Sequence, residues 1–280
     1  MPVATKHHAR SVRVARPKMF MSPPIPMVTM SDEEVVAFLR RCLPDFYFVN
    51  APLSRMKRHV ALLNALPDAR AGVAIEFHRA PGASFSELVL CARDPSQPGL
   101  LSNIAAVLAA TGISVHTAWI HSLDAPAGGN ERIALDTFIL GENLWGRSRA
   151  LSARVQRAFS ESLSSVLRGE QSADELLRQS GRTRQKAARA PLRVSDASST
   201  RVGEFSLFKL RAHDSSGVFF RITRALARQG VHIEHAQINT FEHEADDVFF
   251  VLDARTRQPF SDEDATRILE QLCDDLSQSE

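Results

Sequence analysis

The amino-acid sequence predicts an α+β protein made of two diverged copies of one βαββαβ unit behind a short N-terminal helical segment. Three observations carry this reading. The stretch 94–120, DPSQPGLLSNIAAVLAATGISVHTAWI, lies over 214–238, DSSGVFFRITRALARQGVHIEHAQI, once two residues of the first turn are dropped. Gly99 then falls on Gly217, Ile104 on Ile222, Leu108 on Leu226, Gly112 on Gly230, Ala118 on Ala236 and Ile120 on Ile238, each 118 residues apart. Further on, ALDTFIL at 134–140 lies over ADDVFFV at 245–251 with an offset of 111, the seven extra residues of the first copy falling in the Gly128-Gly129-Asn130 turn. Insertions belong in turns, because a turn can lengthen without disturbing a core.

The elements follow in order along the chain. Residues 1–30 carry Lys6, Arg10, Arg13, Arg16 and Lys18, no acidic side chain and prolines at 23, 24 and 26. They lack the continuous apolar stretch of a secretory signal and read as a disordered basic arm. An organelle transit peptide or an arm for nucleic acid or phosphate are the other readings of that composition. Residues 31–68 form a helical segment: Ser31-Asp-Glu-Glu opens a capped helix over 31–43, and 52–66 forms another, the two separated by Pro44 and the aromatic run Phe46, Tyr47, Phe48.

The first module spans 72–168 and begins as a hairpin around Pro81-Gly82, whose first strand supplies an edge. A β-rich run, Leu88 to Cys91, leads to Asp94 and a tight turn at Gly99. Apolar residues at 100, 101, 104, 107 and 108 then follow the spacing of a one-sided helix, which Gly112 ends. Strands at 113–121 and 133–140 come next, and a closing helix carries Leu151, Val155, Phe159, Val166 and Leu167. Residues 169–200, rich in Arg, Ser, Gln and Ala, read as a linker.

The second module, 201–280, repeats the pattern: a strand over Ser206 to Leu210, Asp214, Gly217, apolar residues at 218, 219, 222, 225 and 226, Gly230, and strands at 231–240 and 246–252. Ser261 is the expected N-cap of a closing helix with Ile268, Leu269, Leu272 and Leu276 on one face. In both units the last strand is expected to be short or contributed late.

The turn chemistry points to a ligand. A helix N-terminus offers unpaired N–H groups to a carboxylate, glycine lets the ligand approach closely, and the preceding aspartate can hold an ammonium. A free amino acid has both groups. The candidate binding residues are Asp94, Gln97, Gly99, Leu100 and Leu101 in the first copy, and Asp214, Ser216, Gly217, Val218 and Phe219 in the second. The other reading of these aspartates is an Asx-turn that serves the backbone alone.

A strand, then Asp-x-Pro-Gly-Leu-Leu, an amphipathic helix, Gly-Ile-Ser-Val-His-x-Ala-x-Ile and Asp-x-Phe-x-Leu together resemble an ACT domain, which implies a ferredoxin-like fold for each module. Residues 31–280 are similar to the C-terminal part of the PII uridylyltransferase/uridylyl-removing enzyme family, with LSRMKRHVALL at 53–63 and PLRVSDAS at 191–198 as further matches. The resemblance implies glutamine sensing that controls nucleotidyl transfer to a PII-type signalling protein. The second copy departs from the pattern with Ser-Ser-Gly-Val in place of Pro-Gly-Leu, and the first has Pro95-Ser96-Gln97 inserted.

Composition narrows the remaining possibilities. The formal charge of +2 is segregated: 1–30 and 141–200 each sum to +5, whereas 31–140 sums to −2 and 201–280 to −6. Positive charge is therefore expected on arm and linker rather than on the modules. Cys42, Cys91 and Cys273 lie far apart in apolar surroundings, which suggests thiols in a reducing cytoplasm without disulfide or zinc site. No run of 18 apolar residues exists, so no membrane partner is expected.

A nucleotidyltransferase needs a Gly-Ser turn followed by an Asp-x-Asp pair to hold metal and nucleotide, and that combination is absent. His213-Asp214 is the sole His-Asp dipeptide and lies in the second module's first turn. His232 and His235 are expected on opposite strand faces, and Glu242, His243, Glu244, Asp246 and Asp247 at a solvated hairpin tip, so no metal or cofactor is expected. His116 and Trp119 flank the ligand side of the first copy in this reading. The expected function is a regulatory binding protein rather than an enzyme. A non-catalytic subunit or remnant acting with a separate nucleotidyltransferase, and a scaffold dimerising through its sheets, are the competing readings.

Overall fold

The computed structural model describes residues 30–66, 72–94, 98–124, 132–144, 147–181, 191–215, 217–241 and 243–278. Gln97 and Ser216, the basic arm and the Gly128-Gly129-Asn130 turn lie outside them.

Three helices come first. In α1 (Asp32–Leu39) a capping box closes the N-terminus: the Glu34 N–H donates to Ser31 Oγ at 3.2 Å, and the Ser31 N–H donates to Glu34 Oε2 at 2.7 Å. The aromatic run expected to separate two helices is itself helical, α2 (Asp45–Asn50). Pro44 pre-sets the entry to that turn, and Asp45 places a negative charge at its positive end. Next, α3 (Leu53–Ala65) buries Met56, His59, Val60 and Leu62.

The first module runs β1 (Val73–His78), β2 (Ser86–Asp94), α4 (Leu100–Thr111), β3 (Ile113–Asp124), β4 (Arg132–Leu144), β5 (Arg147–Arg149) and α5 (Ala153–Leu167). After α6 (Ala173–Gln179), the second runs β6 (Val194–Val202), β7 (Phe205–His213), α7 (Val218–Arg228), β8 (Val231–Phe241), β9 (Glu244–Asp253) and α8 (Asp262–Ser277). Left-handed glycines bracket both first helices: Gly99 (φ 140) and Gly112 (φ 75) around α4, Gly217 (φ 87) and Gly230 (φ 71) around α7.

Both halves are mixed α+β, as the patterning predicts, but the extra strand of each unit precedes its first strand instead of following its last helix. Strand β1 pairs antiparallel with β2, and β6 with β7. Local hairpins explain the placement: Val202 pairs with Phe205 across a two-residue turn that Gly203 enters at φ 59. The span read as a linker, 169–200, accordingly contains structure. Ser172 caps α6 by accepting from the Glu175 N–H at 3.1 Å, α6 packs against α4, and β6 begins at Val194. Their signals are weak because α6 buries Leu177 alone and β6, an edge strand, is polar and largely exposed.

Strands β1 to β4 and β6 to β9 join in one sheet of order β1-β2-β4-β3-β8-β9-β7-β6, with β5 paired to β4 as its ninth strand. Strands β3 and β8 form the seam, pairing antiparallel from Thr117↔Asn239 to His121↔His235. Trp119 faces Gln237, the residue 118 positions on, so the approximate two-fold relating the copies runs through this pair. Alternation along the strands divides the core. Leu88, Leu90, Phe138, Phe208 and Phe249 pack under the helices of both modules, while Val89, Cys91 and Leu135 face the other way onto α1 to α3. No helix among the described residues is long and apolar enough to cross a membrane.

Candidate functional site

Each copy breaks its seam strand with a β-bulge at the same place, between Val115 and Thr117 in β3 and between Ile233 and His235 in β8. The inserted residues are His116 and Glu234, 118 positions apart. A bulge re-aims a side chain. Here His116 lines a cleft with Asp214 of the opposite module, Glu234 reaches Asp94 of the opposite module through His232, and the two clefts beside these aspartates differ in size.

The larger cleft, about 550 Å³, is lined by Asp214, Gly217, Val218 and Phe219 of the second module and by Ala109 and Gly112 to His116 of the first. That volume lies within the roughly 300–1,000 Å³ usual for small-molecule sites. The α7 N-terminus has no side-chain cap, and the Asp214 N–H is tied to the His243 carbonyl at 2.7 Å. Burial pushes the Asp214 carboxyl up, and the neighbouring His116, His213 and His243 rings oppose that rise. His116 is held by Ser148, Nε2 to Oγ 2.9 Å, and burial lowers its pKa against the pull of Asp214. Gly141 makes room for this pair: a Cβ there would stand 2.8 Å from His116 Nε2 and run into Ser148 Oγ.

Asp247 also lines this cleft, 1% exposed, with Oδ1 lacking a hydrogen-bond partner among the described residues. Burial pushes its pKa up to about 8, so it is mostly protonated at neutral pH and can donate. The acidic hairpin tip expected from the sequence is thus split: Glu244 and Asp246 are exposed, and Arg211 pairs with Asp246 at 3.2 Å, but Asp247 points inward. Its counterpart Asp136 is equally buried and raised well above the usual carboxylate range. The repeat held the signal, since the third residue of ALDTFIL and of ADDVFFV is Asp in both.

The first copy's residues also come together, with Asp94, Gly99, Leu100 and Leu101 lining one cleft, but only about 40 Å³ remains there. That is room for about one water. The Glu234 carboxylate draws in Arg132 and, at 2.9 Å, Arg257, while His232 Nε2 lies 3.2 Å from Glu234 Oε2 and 3.6 Å from Asp94 Oδ2. Asp94 accepts from Ser122 Oγ at 2.9 Å. His232 and His235 occupy opposite sides of the sheet, the former in this cluster and the latter against Phe46. Trp119, expected on the ligand side, lies on the other face with Arg55 over its ring at 4.8 Å. No cluster of three or more His, Cys, Asp or Glu suited to a metal occurs among the described residues.

The second module is a βαββα unit behind an edge strand, with an aspartate, a left-handed glycine and an uncapped helix start at one cleft, and its residues 206–274 match the family model for the ACT domain. Beyond that segment, the chain is similar to bifunctional uridylyltransferase/uridylyl-removing enzymes. That of Gluconobacter oxydans (strain 621H) is 29% identical over 74% of this chain and 21% of the relative. The Rhodospirillum rubrum enzyme is 29% identical over 70% and 20%, and that of Bradyrhizobium sp. (strain BTAi1) 26% identical over 79% and 23%. The chain therefore spans about a fifth of the length of these curated relatives. Among solved structures, the aspartate kinase of Synechocystis aligns over 70% of this chain and 41% of that one at 11% identity with a TM-score of 0.18, too slight a likeness to bear on the fold.

Proposed function

We propose that both modules are ACT domains and that the chain senses a free α-amino acid, glutamine first among the candidates, to regulate uridylyl transfer on a PII-type partner. The observation that carries this reading is the 550 Å³ cleft, which joins Asp214 and the start of α7 to the bulged segment of the other module. The ligand's ammonium pairs with Asp214, its carboxylate meets the free N–H groups of the first α7 turn, and protonated Asp247 donates to the side-chain carbonyl. Asp94, Gly99, Leu100 and Leu101 line the matching cleft of the first copy, but its roughly 40 Å³ is too small for an amino acid, so one ligand binds per chain. Because the cleft is built from both modules, occupancy tightens the seam, and this is how binding reaches a partner. The similarity to uridylyltransferase/uridylyl-removing enzymes supports the regulated reaction, whichever polypeptide holds its catalytic residues.

Calorimetric titration with glutamine, glutamate and the other common amino acids tests this. One site per chain, lost in Asp214→Asn, is expected. Equal binding by the Asp214→Asn protein, or no heat with any amino acid, overturns it.

A further inference from the structure

On the face of the sheet opposite the Asp214 cleft, a second pocket of about 200 Å³ lies where α2 and α3 meet the seam. Rings form much of its wall, among them Phe46, Tyr47, Trp119, His121 and Phe250. Phe46 stacks on Phe250 with centroids 5.3 Å apart, and Phe46 at 37% exposure stands with exposed Asn50 and Gln237 at the mouth. The volume equals that of about six or seven waters at roughly 30 Å³ each. It suits a single small ring with one substituent.

Two hydrogen-bond donors in the buried wall of the pocket lack an acceptor among the described residues. Trp119 Nε1–H is buried and has no acceptor among the described residues. Tyr47 Oη lies 2.7 Å from His59 Nδ1, and His59 Nε2 lies 3.0 Å from Thr137 Oγ1, all three residues being buried. Burial and the nearby guanidiniums lower the His59 pKa to about 3, so the ring carries one proton. That proton and two hydroxyl protons serve only two hydrogen bonds. In either tautomer one hydroxyl hydrogen, on Tyr47 or on Thr137, is left over at the pocket wall.

Charge points the same way. Arg55 and Arg58 both pair with Glu87, so one carboxylate faces two cations. Arg55 lines the pocket, with its guanidinium stacked over Trp119. Two spare donors, a surplus cation and aromatic walls call for a flat ring bearing an anionic oxygen acceptor.

We propose that this pocket is a binding site for a small aromatic carboxylate, its ring lying among Phe46, Trp119 and Phe250 and its oxygens accepting from Trp119 and from the Tyr47–His59–Thr137 chain. The site is independent of the amino-acid cleft. Trp119 and Gln237 form the seam pair on the two-fold, so a ligand here contacts the joint between the modules from the side the amino acid does not touch.

Benzoate is the probe, titrated into the full chain and followed by calorimetry and by the indole N–H resonance of Trp119. Trp145→Phe distinguishes the two indole signals. Saturable binding with a shifted Trp119 resonance is expected, at least tenfold weaker in Trp119→Phe and tenfold weaker for cyclohexanecarboxylate, which has the acid but not the flat ring. Ala51→Leu, which fills the pocket, abolishes benzoate binding while glutamine heats stay unchanged. An unmoved Trp119 resonance in the wild-type chain at saturating benzoate, or equal affinity in Trp119→Phe and Ala51→Leu, overturns the proposal. The resonance decides the matter even where a pocket variant fails to fold.

Discussion

His121 and His235 face each other across the β3–β8 seam with their Nδ1 atoms 3.4 Å apart, both rings buried. Such a pair has room for one shared proton and no second one. Desolvation lowers His121 well below its ordinary value, His235 to about 4, and His59 and His232 to about 3. The unfolded chain binds protons at these four sites near pH 6.5 and the native one does not, so stability falls as pH drops from about 6.5 toward 4. Buried Asp136 and Asp247 act oppositely: raised above the 3.8 of an exposed carboxyl, the latter to about 8, they cost stability as pH rises. Below pH 6.5 the lowered imidazoles, His116 among them, outweigh the raised carboxyls Asp94, Asp136, Asp214 and Asp247. Above it only the carboxyls change. Urea midpoints measured from pH 4 to 8.5 are expected to peak near pH 6.5, with the alkaline limb flattened in Asp247→Asn. A profile rising steadily to pH 8.5 would contradict this.

The unequal clefts give a second test. Asp214→Asn removes a charge-assisted contact of about 1.5–3 kcal/mol, an affinity loss of roughly 10- to 100-fold for the amino acid. Asp94→Asn is expected to leave that affinity unchanged, since no ligand fits beside it. Melting temperature against glutamine concentration separates the two variants, and an equal loss in both would show that the first cleft also takes ligand.

Gly141 is required by close approach and not by its backbone angle. Gly141→Ala pushes the His116–Ser148 pair into the cleft, at an overpacking cost of about 1–3 kcal/mol. Weaker amino-acid binding is expected together with that loss. Unaltered binding would remove His116 from the site.

Glu234 is the hub of the ion-pair cluster beside the smaller cleft, its side chain 8% exposed and meeting Arg132 and Arg257. Glu234→Gln leaves two guanidiniums facing each other. The cost is about 2 kcal/mol, below the roughly 3–5 of a fully buried pair because the arginines keep 24% and 35% exposure. Thermal melts in low and high salt check the origin, since the deficit should shrink as salt screens the repulsion.

Arg221, 5% exposed, donates through Nη2 to the carbonyls of Leu276 at 2.7 Å and Gln278 at 2.9 Å, closing the C-terminal end of α8. Arg221→Met is expected to destabilise the chain by about 2 kcal/mol, with Arg221→Lys recovering part of it. Amide exchange confined to α8 would identify the end that opens. Protection there equal to wild type would refute the capping role.

Much of this architecture was readable from the residues because it rests on local periodicity. The caps at Ser31 and Ser261, the glycines at 99, 112, 217 and 230, and the apolar faces of α4 and α7 are each set by neighbours within a turn or two. What escaped was non-local or weakly patterned. Strand β6 alternates little and α6 buries a single leucine, so neither stands out from a linker. Helix α2 hides within six residues of aromatic sequence. The turn residues on either side of Asp214 were visible as a candidate, but the far wall of their cleft, Gly112 to His116, arrives from the other copy through a pairing that no local pattern announces. Nor could spacing reveal the ion-pair cluster at Glu234, since that depends on Arg132 and Arg257 converging from distant segments.

The two unequal clefts also shape how such a chain would answer its ligand. Two identical sites facing one another across a symmetry axis can respond in concert, so that filling one sharpens the other. Here the two copies have diverged, and the cleft beside Asp94 keeps only about 40 Å³ against about 550 Å³ beside Asp214. If one cleft per chain takes the amino acid, as proposed, occupancy follows a simple hyperbola. The expected output is then graded in proportion to supply, like a dimmer rather than a toggle, and any steeper response has to come from the association of several chains.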